Sequence, residues 1–301
     1  MAIRDAPGDG YVVITAARNA ARTIDAVVTA VAEQDDPPTR WVIASDGSTD
    51  DTAEIVRARA ATLPWIILLT IDRDGPPSFA AKARALRAAY DCAGDAPHGM
   101  VGNLDADIVL PPDYYARCRA AFAEDPHLGI TGGVIVEAIA GDRIPQRSAR
   151  HSVAGGIQTF RRECWDQIGQ GYLALEGGGE DAVAEVLARA GGYDVLAQGD
   201  LEAEHVGPVL GGRRSRVRAR AARGVLHRQL GHRPWFQLAS AASRITEPPV
   251  VVGSVATLAG YGWATIRRVP LSPPPEIVDR IRAEHVARVR SRVPRRPAER
   301  V

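Results

Sequence analysis

Two aspartates one residue apart, Asp105 and Asp107, end an apolar run that starts at Met100. A second apolar run, Ile108-Val109-Leu110, follows them and stops at Pro111-Pro112. A buried strand does not end in two like charges unless a cation or a charged substrate compensates them. The small Ala106 between them lets the chain turn, so both carboxylates can approach one ion. Hard oxygen ligands of this kind suit Mg²⁺ or Mn²⁺, with positions left open for phosphate oxygens. Such an ion neutralises a diphosphate as it departs as an anion. His205, on a distant segment, is a candidate third ligand or phosphate contact, although a lone histidine is more often structural. Glu180-Asp181 is a second acidic pair, preceded by three glycines at 177–179. Acids in a first helical turn also complement the helix dipole, so this pair alone does not announce chemistry.

The elements that must position these groups alternate. Residues 11–15 are β-prone and apolar, a buried strand. Asn19 is placed to cap the next helix, 23–33, where Ile24, Val27, Val28 and Val31 fall at helical spacing. Strands over 40–45 and 65–71 interleave with helices over 53–62 and 79–92. The pattern predicts an α/β fold with a mostly parallel central sheet flanked by helices. Ligands of such sheets sit beyond the carboxyl ends of the strands, where Asp46 and Asp105 both lie. Further along come a helix at 112–124 and a strand at 130–139 broken at Gly132-Gly133. An irregular polar loop at 141–152 and a strand at 155–160 follow, then a helix at 163–168. The helix at 180–189 is stopped by Gly191-Gly192. Strand residues recur at 193–197 and 202–206.

Composition is that of an ordinary globular protein: 46% hydrophobic, 24% charged, net charge +1. The even total hides an asymmetry. Six arginines fall between Arg213 and Arg223, on a long basic helix read over 213–230, and the tail from Arg267 is again Arg-rich. Such a segment suits anionic partners or a solvated helix face. We therefore expect a catalytic domain at 1–210 and an Arg-rich helical extension at 211–301. Residues 250–266 carry no charge, but span roughly 26 Å as a helix, short of a bilayer core. They are expected to pack on the domain or to lie in the membrane interface, with Tyr261, Trp263, Arg267 and Arg268 at the polar edge. Three scattered cysteines form neither a disulfide framework nor a zinc pattern, and residues 1–10 lack an apolar signal-peptide core. The expected setting is cytoplasmic, with peripheral contact at the inner face of the membrane.

The segments Val12-Val-Ile-Thr-Ala-Ala-Arg-Asn19, Ser45-Asp46-Gly-Ser-Thr-Asp50-Asp-Thr52, Leu104-Asp105-Ala-Asp107 and Gly179-Glu180-Asp181 resemble, in order and spacing, family 2 glycosyltransferases over roughly residues 10–210. The resemblance implies a GT-A fold and a nucleotide-diphosphate sugar donor. Thr15, Ala16, Ala17 and Arg18 would hold the nucleotide, and Asp46 would contact the base. Ser48 and Asp50 would shape the second loop. Lys82, the only lysine, and Arg84 are the basic candidates near the diphosphate or sugar. Asp105 and Asp107, with Ala106 between, would hold metal and sugar-nucleotide. Asp181 would be the general base and Glu180 would pair with acceptor or donor hydroxyls. His205 would join the metal. Arg213, Arg214, Arg220 and Arg223 occupy the place of a basic segment near a diphosphate or lipid phosphate. The implied reaction is inverting transfer to a glycan or lipid-linked acceptor.

Two other classes fit the sequence less well. A nucleotidyltransferase needs a glycine-rich basic loop after its first strand, and residues 15–19 hold no glycine. A nucleic-acid binder needs aromatics interleaved with its arginines, and aromatics make up 5% of the chain. No nucleic-acid partner is expected.

Overall fold

The computed structural model describes residues 10–139, 142–146, 149–207, 213–247 and 249–292. The chain divides into two compact units, Met1–Val209 and Leu210–Val301.

The first unit is built on β1 (Tyr11–Ala17), whose residues 11–14 are apolar and wholly buried, as a parallel strand covered on both faces requires. It pairs in parallel with β2 (Arg40–Asp46) and β4 (Met100–Asn103), and β2 pairs in parallel with β3 (Ile66–Ile71). The connecting helices are α1 (Ile24–Ala32), α2 (Thr52–Ala60) and α3 (Phe79–Ala93). The carboxyl ends of these four strands therefore open on one edge.

Beyond β4 the sheet is mixed, which corrects the mostly parallel expectation for that half. The further elements are β5 (Ile108–Val109), α4 (Tyr114–Glu124), β6 (Leu128–Ile139), β7 (Asp142–Pro145), β8 (Thr159–Arg161), α5 (Arg162–Gln167), α6 (Glu180–Ala190) and β9 (Asp194–His205). The order is β3-β2-β1-β4-β8-β6-β9-β5, with β7 paired to β6. The β6–β8 connection contains no α-helical crossover among the described residues. A return without one runs antiparallel, as β8 does against β6 and β4.

Local readings change in four places. Asn19 does not cap α1: it sits at φ +53° and its Oδ1 accepts from the Thr49 N–H, tying down the loop after β2. Gly132-Gly133 does not break β6. The β6–β9 register slips there in a bulge, and a Cβ at Gly133 would lie 2.1 Å from the Leu201 carbonyl oxygen. The 141–152 stretch includes β7, anchored by Arg143 to Glu202 and Glu204 of β9. Of residues 155–160, Gly155–Ile157 is a 3-10 turn, and the strand begins at Thr159.

The second unit is helical: α7 (Arg213–Gln229), α8 (Pro234–Ser243), α9 (Val252–Ile266) and α10 (Pro275–Arg292). α7 and α9 meet backbone to backbone. A Cβ at Gly224 would lie 1.9 Å from the Thr257 carbonyl oxygen, and one at Gly260 2.0 Å from that of Ala221. Gly260 of the uncharged stretch thus serves helix contact, with Gly224 of α7 as its counterpart. Tyr261, expected at a polar edge, is buried and donates to the His232 carbonyl at 2.6 Å, whereas Trp263, Arg267 and Arg268 are exposed. Among the described residues no helix is long and apolar enough to cross a membrane. The Arg213 and Arg214 side chains lie outside the described residues, as does the tail from 293.

Candidate active site

A cavity of about 480 Å³ opens at the carboxyl ends of β1, β2 and β3, within the range of small-molecule sites. Its wall includes Ala16, Ala17 and Arg18 after β1, Asp46 of β2, Arg73 beyond β3, Phe79 and Lys82 of α3, and Glu176. Arg18 donates through Nη2 to the Gly75 carbonyl at 2.6 Å, while its Nη1 is buried without a partner. An orphaned guanidinium donor lining a cavity suits an anionic oxygen.

Asp46 is gripped by Arg73, whose Nε and Nη2 donate to its two oxygens at 2.7 and 2.8 Å. The expected base contact must therefore use the remaining lone pairs of an acid already paired. Arg73 went unread in the sequence because nothing in 72–78 distinguishes it from a loop arginine. Gly47, at φ +62°, lets the Arg73 backbone come close, since a Cβ there would lie 2.4 Å from the Arg73 carbonyl oxygen.

Lys82 joins the cavity to the acidic groups. Its Nζ lies 2.7 Å from Asp105 Oδ1 and 2.9 Å from Oδ2. Burial pushes the ammonium down, but Asp105 beside it, with Glu180 and Asp181 behind, outweighs this and holds it above its ordinary value. Arg84 is exposed and lies about 200° around α3 from Lys82, so the structure does not bring it to the cavity with Lys82. The Thr15 side chain also points away from the cavity, into the core. The side chain is fully buried, donates to the Leu104 carbonyl at 2.7 Å and accepts from Trp41 Nε1 at 3.0 Å. Ala106 packs into the core, and its carbonyl accepts from the Thr23 hydroxyl at 2.8 Å. Its smallness answers to packing rather than to a ligand.

The end of β4 zips onto the 155–158 segment. The Asn103 N–H donates to the Gln158 carbonyl and the Asp105 N–H to that of Gly156, while Asn103 Nδ2 donates to the Gly155 carbonyl. Two acids from distant segments rest on this turn. A Cβ at Gly156 would lie 2.7 Å from Asp105 Oδ2, and one at Gly155 2.9 Å from Asp181 Oδ2. Asp105 and Asp181 are thus seated over consecutive glycines.

α6 starts after Gly178 and Gly179, at φ +83° and +87°, a backbone that disfavours side chains. Glu180 is buried, and burial, with Asp181 adding to it, lifts its carboxyl above the ordinary value. Its Oε2 has no hydrogen-bond partner. One turn on, Glu185 is 3% exposed. Its Oε1 accepts from the Val153 N–H at 2.8 Å, and Arg189 Nη1 stands 3.5 Å from Oε2. Burial raises it to about 7. Gln158 links Glu185 to the buried Tyr172 hydroxyl, which donates to Gln158 Oε1 at 2.8 Å.

Asp107 faces elsewhere. β5 pairs antiparallel with β9, setting Ile108 opposite His205, and His205 Nε2 lies 3.2 Å from Asp107 Oδ2. Among the described residues no group of three His, Cys, Asp or Glu side chains could hold a metal ion. The expected triad of Asp105, Asp107 and His205 is therefore divided, with Asp105 paired to Lys82 and Asp107 to His205. Asp107 and His205 remain a two-donor set, with His205 Nδ1 buried and unpartnered. That set suits a divalent ion drawing its other ligands from phosphate.

Comparison with known proteins adds the following. The structure is similar to the mannosyltransferase PcManGT from Pyrobaculum calidifontis, solved with GDP-Man and Mn²⁺, with TM-score 0.58 and 20% identity over 97% of this chain and 78% of that one. It is similar to TarS from S. aureus, with TM-score 0.56 and 16% identity over 79% of this chain and 44% of that one. The 1–349 portion of TarS in complex with UDP-GlcNAc gives TM-score 0.54 and 14% identity over 95% and 93%. These likenesses establish a GT-A fold. A search of curated proteins found no match. Residues 12–175, more than half of the chain, match the model for glycosyl transferase family 2, and the chain belongs to that family of glycosyltransferases.

Proposed function

We propose that the chain is an inverting, metal-dependent glycosyltransferase. It moves a sugar from a nucleotide-diphosphate sugar to a hydroxyl of a glycan or lipid-linked acceptor, in synthesis of a cell-surface glycan or glycolipid. The observation that carries this reading is Lys82, which lines the cavity and pairs with Asp105, while Asp105 and Asp181 sit over adjacent glycines. Nucleotide pocket, cation and candidate base form one continuous site. Residues 1–210 are the catalytic domain and 211–301 an extension for peripheral membrane contact at the cytosolic face.

The nucleotide fills the cavity, with the base toward Asp46 and Arg73. Arg18 Nη1 and Lys82 Nζ donate to the diphosphate. Asp107 and His205 would hold Mn²⁺ or Mg²⁺, which would supply positive charge against the leaving diphosphate. The Mn²⁺ bound to the similar PcManGT supports the use of a divalent ion. Asp181 accepts the proton of the acceptor hydroxyl as that oxygen attacks the anomeric carbon opposite the leaving group. One displacement inverts the centre. Glu180, buried with Oε2 unpartnered, pairs with a sugar hydroxyl, a contact that would relieve its unmet hydrogen bond.

The test is Asp181→Asn. Transfer is expected to fall below detection while a thermal-shift panel of sugar nucleotides with Mn²⁺ still reports donor binding. Full transfer by that variant would remove Asp181 as the base.

A further inference from the structure

Three side chains of α6, Asp181, Glu185 and Arg189, follow one another four residues apart, which sets them along one side of the helix. Each meets an alternate residue of the segment that leads into the glycine turn. A Cβ at Gly155 would lie 2.9 Å from Asp181 Oδ2. The Val153 N–H donates to Glu185 Oε1 at 2.8 Å. Arg189 Nη1 donates to the His151 carbonyl at 3.3 Å. The helix thus lies along residues 151–155 in a fixed register, with Glu185 at the middle contact.

Glu185 also joins this register to the Asp105 side of the site. Gln158 is wholly buried, donates through Nε2 to the Val153 carbonyl at 3.2 Å and stands 3.5 Å from Glu185 Oε1. Both backbone groups of Val153 are therefore engaged, its N–H by Glu185 and its carbonyl by Gln158. Tyr172 holds Gln158 Oε1 from the other side. The Gln158 carbonyl accepts from the Asn103 N–H at 2.8 Å, and Asn103 is two residues before Asp105. A run of buried hydrogen bonds leads from α6 to the strand end that carries Asp105.

A carboxylate is a costly side chain for this place. Glu185 is buried, and apolar packing of similar volume commonly serves a fold as well as a buried charge does. What the acid adds is direction. An acceptor aimed at one backbone N–H fixes how far α6 can slide, which an apolar contact does not.

We propose that Glu185 is a positioning residue for the transfer reaction: by fixing α6 on residues 151–158 it sets Asp181 against Asp105 across the glycine turn. It touches no reacting atom and acts through Asp181, so the inference rests on the reading of Asp181 as the base.

The experiment compares Glu185→Leu with Glu185→Gln, which keeps an oxygen for the Val153 N–H. Hydrogen exchange in peptides covering 151–158 should quicken at least about tenfold in the leucine variant and stay near wild type in the glutamine variant. Turnover is read as nucleoside diphosphate released from the sugar nucleotide that the thermal-shift panel selects, with Mn²⁺ and with water or octyl glycosides as acceptor. It is expressed per binding site titrated with UDP or GDP, so that unfolded chains do not count. Glu185→Leu should lower kcat at least about tenfold with KM for the donor within about twofold, and Glu185→Gln should stay within about threefold of wild type. If Glu185→Leu binds no nucleotide, Gln158→Leu, which breaks the next link, replaces it with the same expectation. Wild-type kcat per site in the leucine variant, unchanged exchange, a loss confined to KM, or a glutamine variant as slow as leucine would each overturn the positioning role. Full transfer by Asp181→Asn removes the base and this inference with it. Loss in Asp181→Asn beside wild-type turnover in Glu185→Leu removes this inference alone.

Discussion

Glu185 offers a sharp quantitative test of the electrostatics behind the site. It is almost fully buried and sits at about 7 where an ordinary glutamate sits at 4.5. At about 1.4 kcal/mol per pH unit, the ionised form costs the fold about 3 kcal/mol. The sign follows from linkage: a folded value above the unfolded one means the native state binds the extra proton. The stabilising contribution is complete below about pH 4.5 and is lost as pH rises through 7. Glu185→Gln removes the titration, yet keeps an oxygen for the Val153 N–H. From pH 4.5 to 8.5 the variant should gain about 3 kcal/mol on the wild type, roughly 5–10 °C in Tm. Melting curves of both proteins across that range measure it. A Tm difference that stays flat with pH would refute the buried, proton-binding picture of this residue.

Four further outcomes follow. Gly156→Ala drives a Cβ into Asp105 Oδ2 and should cut turnover at least about tenfold, with a smaller effect on Tm; unchanged turnover would unseat the adjacent-glycine geometry. Arg73→Met leaves the buried Asp46 carboxylate without its counter-charge, and should lower the midpoint of denaturant melts while raising KM for the donor. His205→Ala should abolish the Mn²⁺-dependent part of the thermal shift seen with a nucleoside diphosphate, and chelation should stop turnover of the wild type until Mn²⁺ is restored. Gly260→Ala forces α7 and α9 apart and should destabilise the second unit by about 1–3 kcal/mol or more, read by urea melts.

The first half of the fold was legible because β1 to β4 announce themselves as apolar runs and their crossovers as amphipathic helices. The pairing of β8, β6 and β9 was not legible. It depends on a bulge at Gly132-Gly133 and on a connection without an α-helical crossover, neither of which leaves a periodic trace. The site divides the same way. Asp105, Lys82 and Asp181 were legible as chemistry-bearing types at strand and helix ends. Their partition into a Lys82–Asp105 pair and an Asp107–His205 pair was not, because a two-residue spacing says nothing about which way each carboxylate faces. The structure engages the Thr15 side chain and Ala106 in the core, since a small residue beside a site is also what a tight core requires. Arg73 and Gln158 are visible only after folding brings Asp46 and Glu185 to them.

The turn at 155–156 has a consequence for how this enzyme can vary. It bears Asp181 at one position and Asp105 at the next, the two carboxylates proposed above to serve the acceptor and the donor. A displacement of that short stretch tips both together, like two pans hung from a single beam. Sequence drift in the neighbouring loops can retune which sugars enter from either side, but the beam itself tolerates no added atoms.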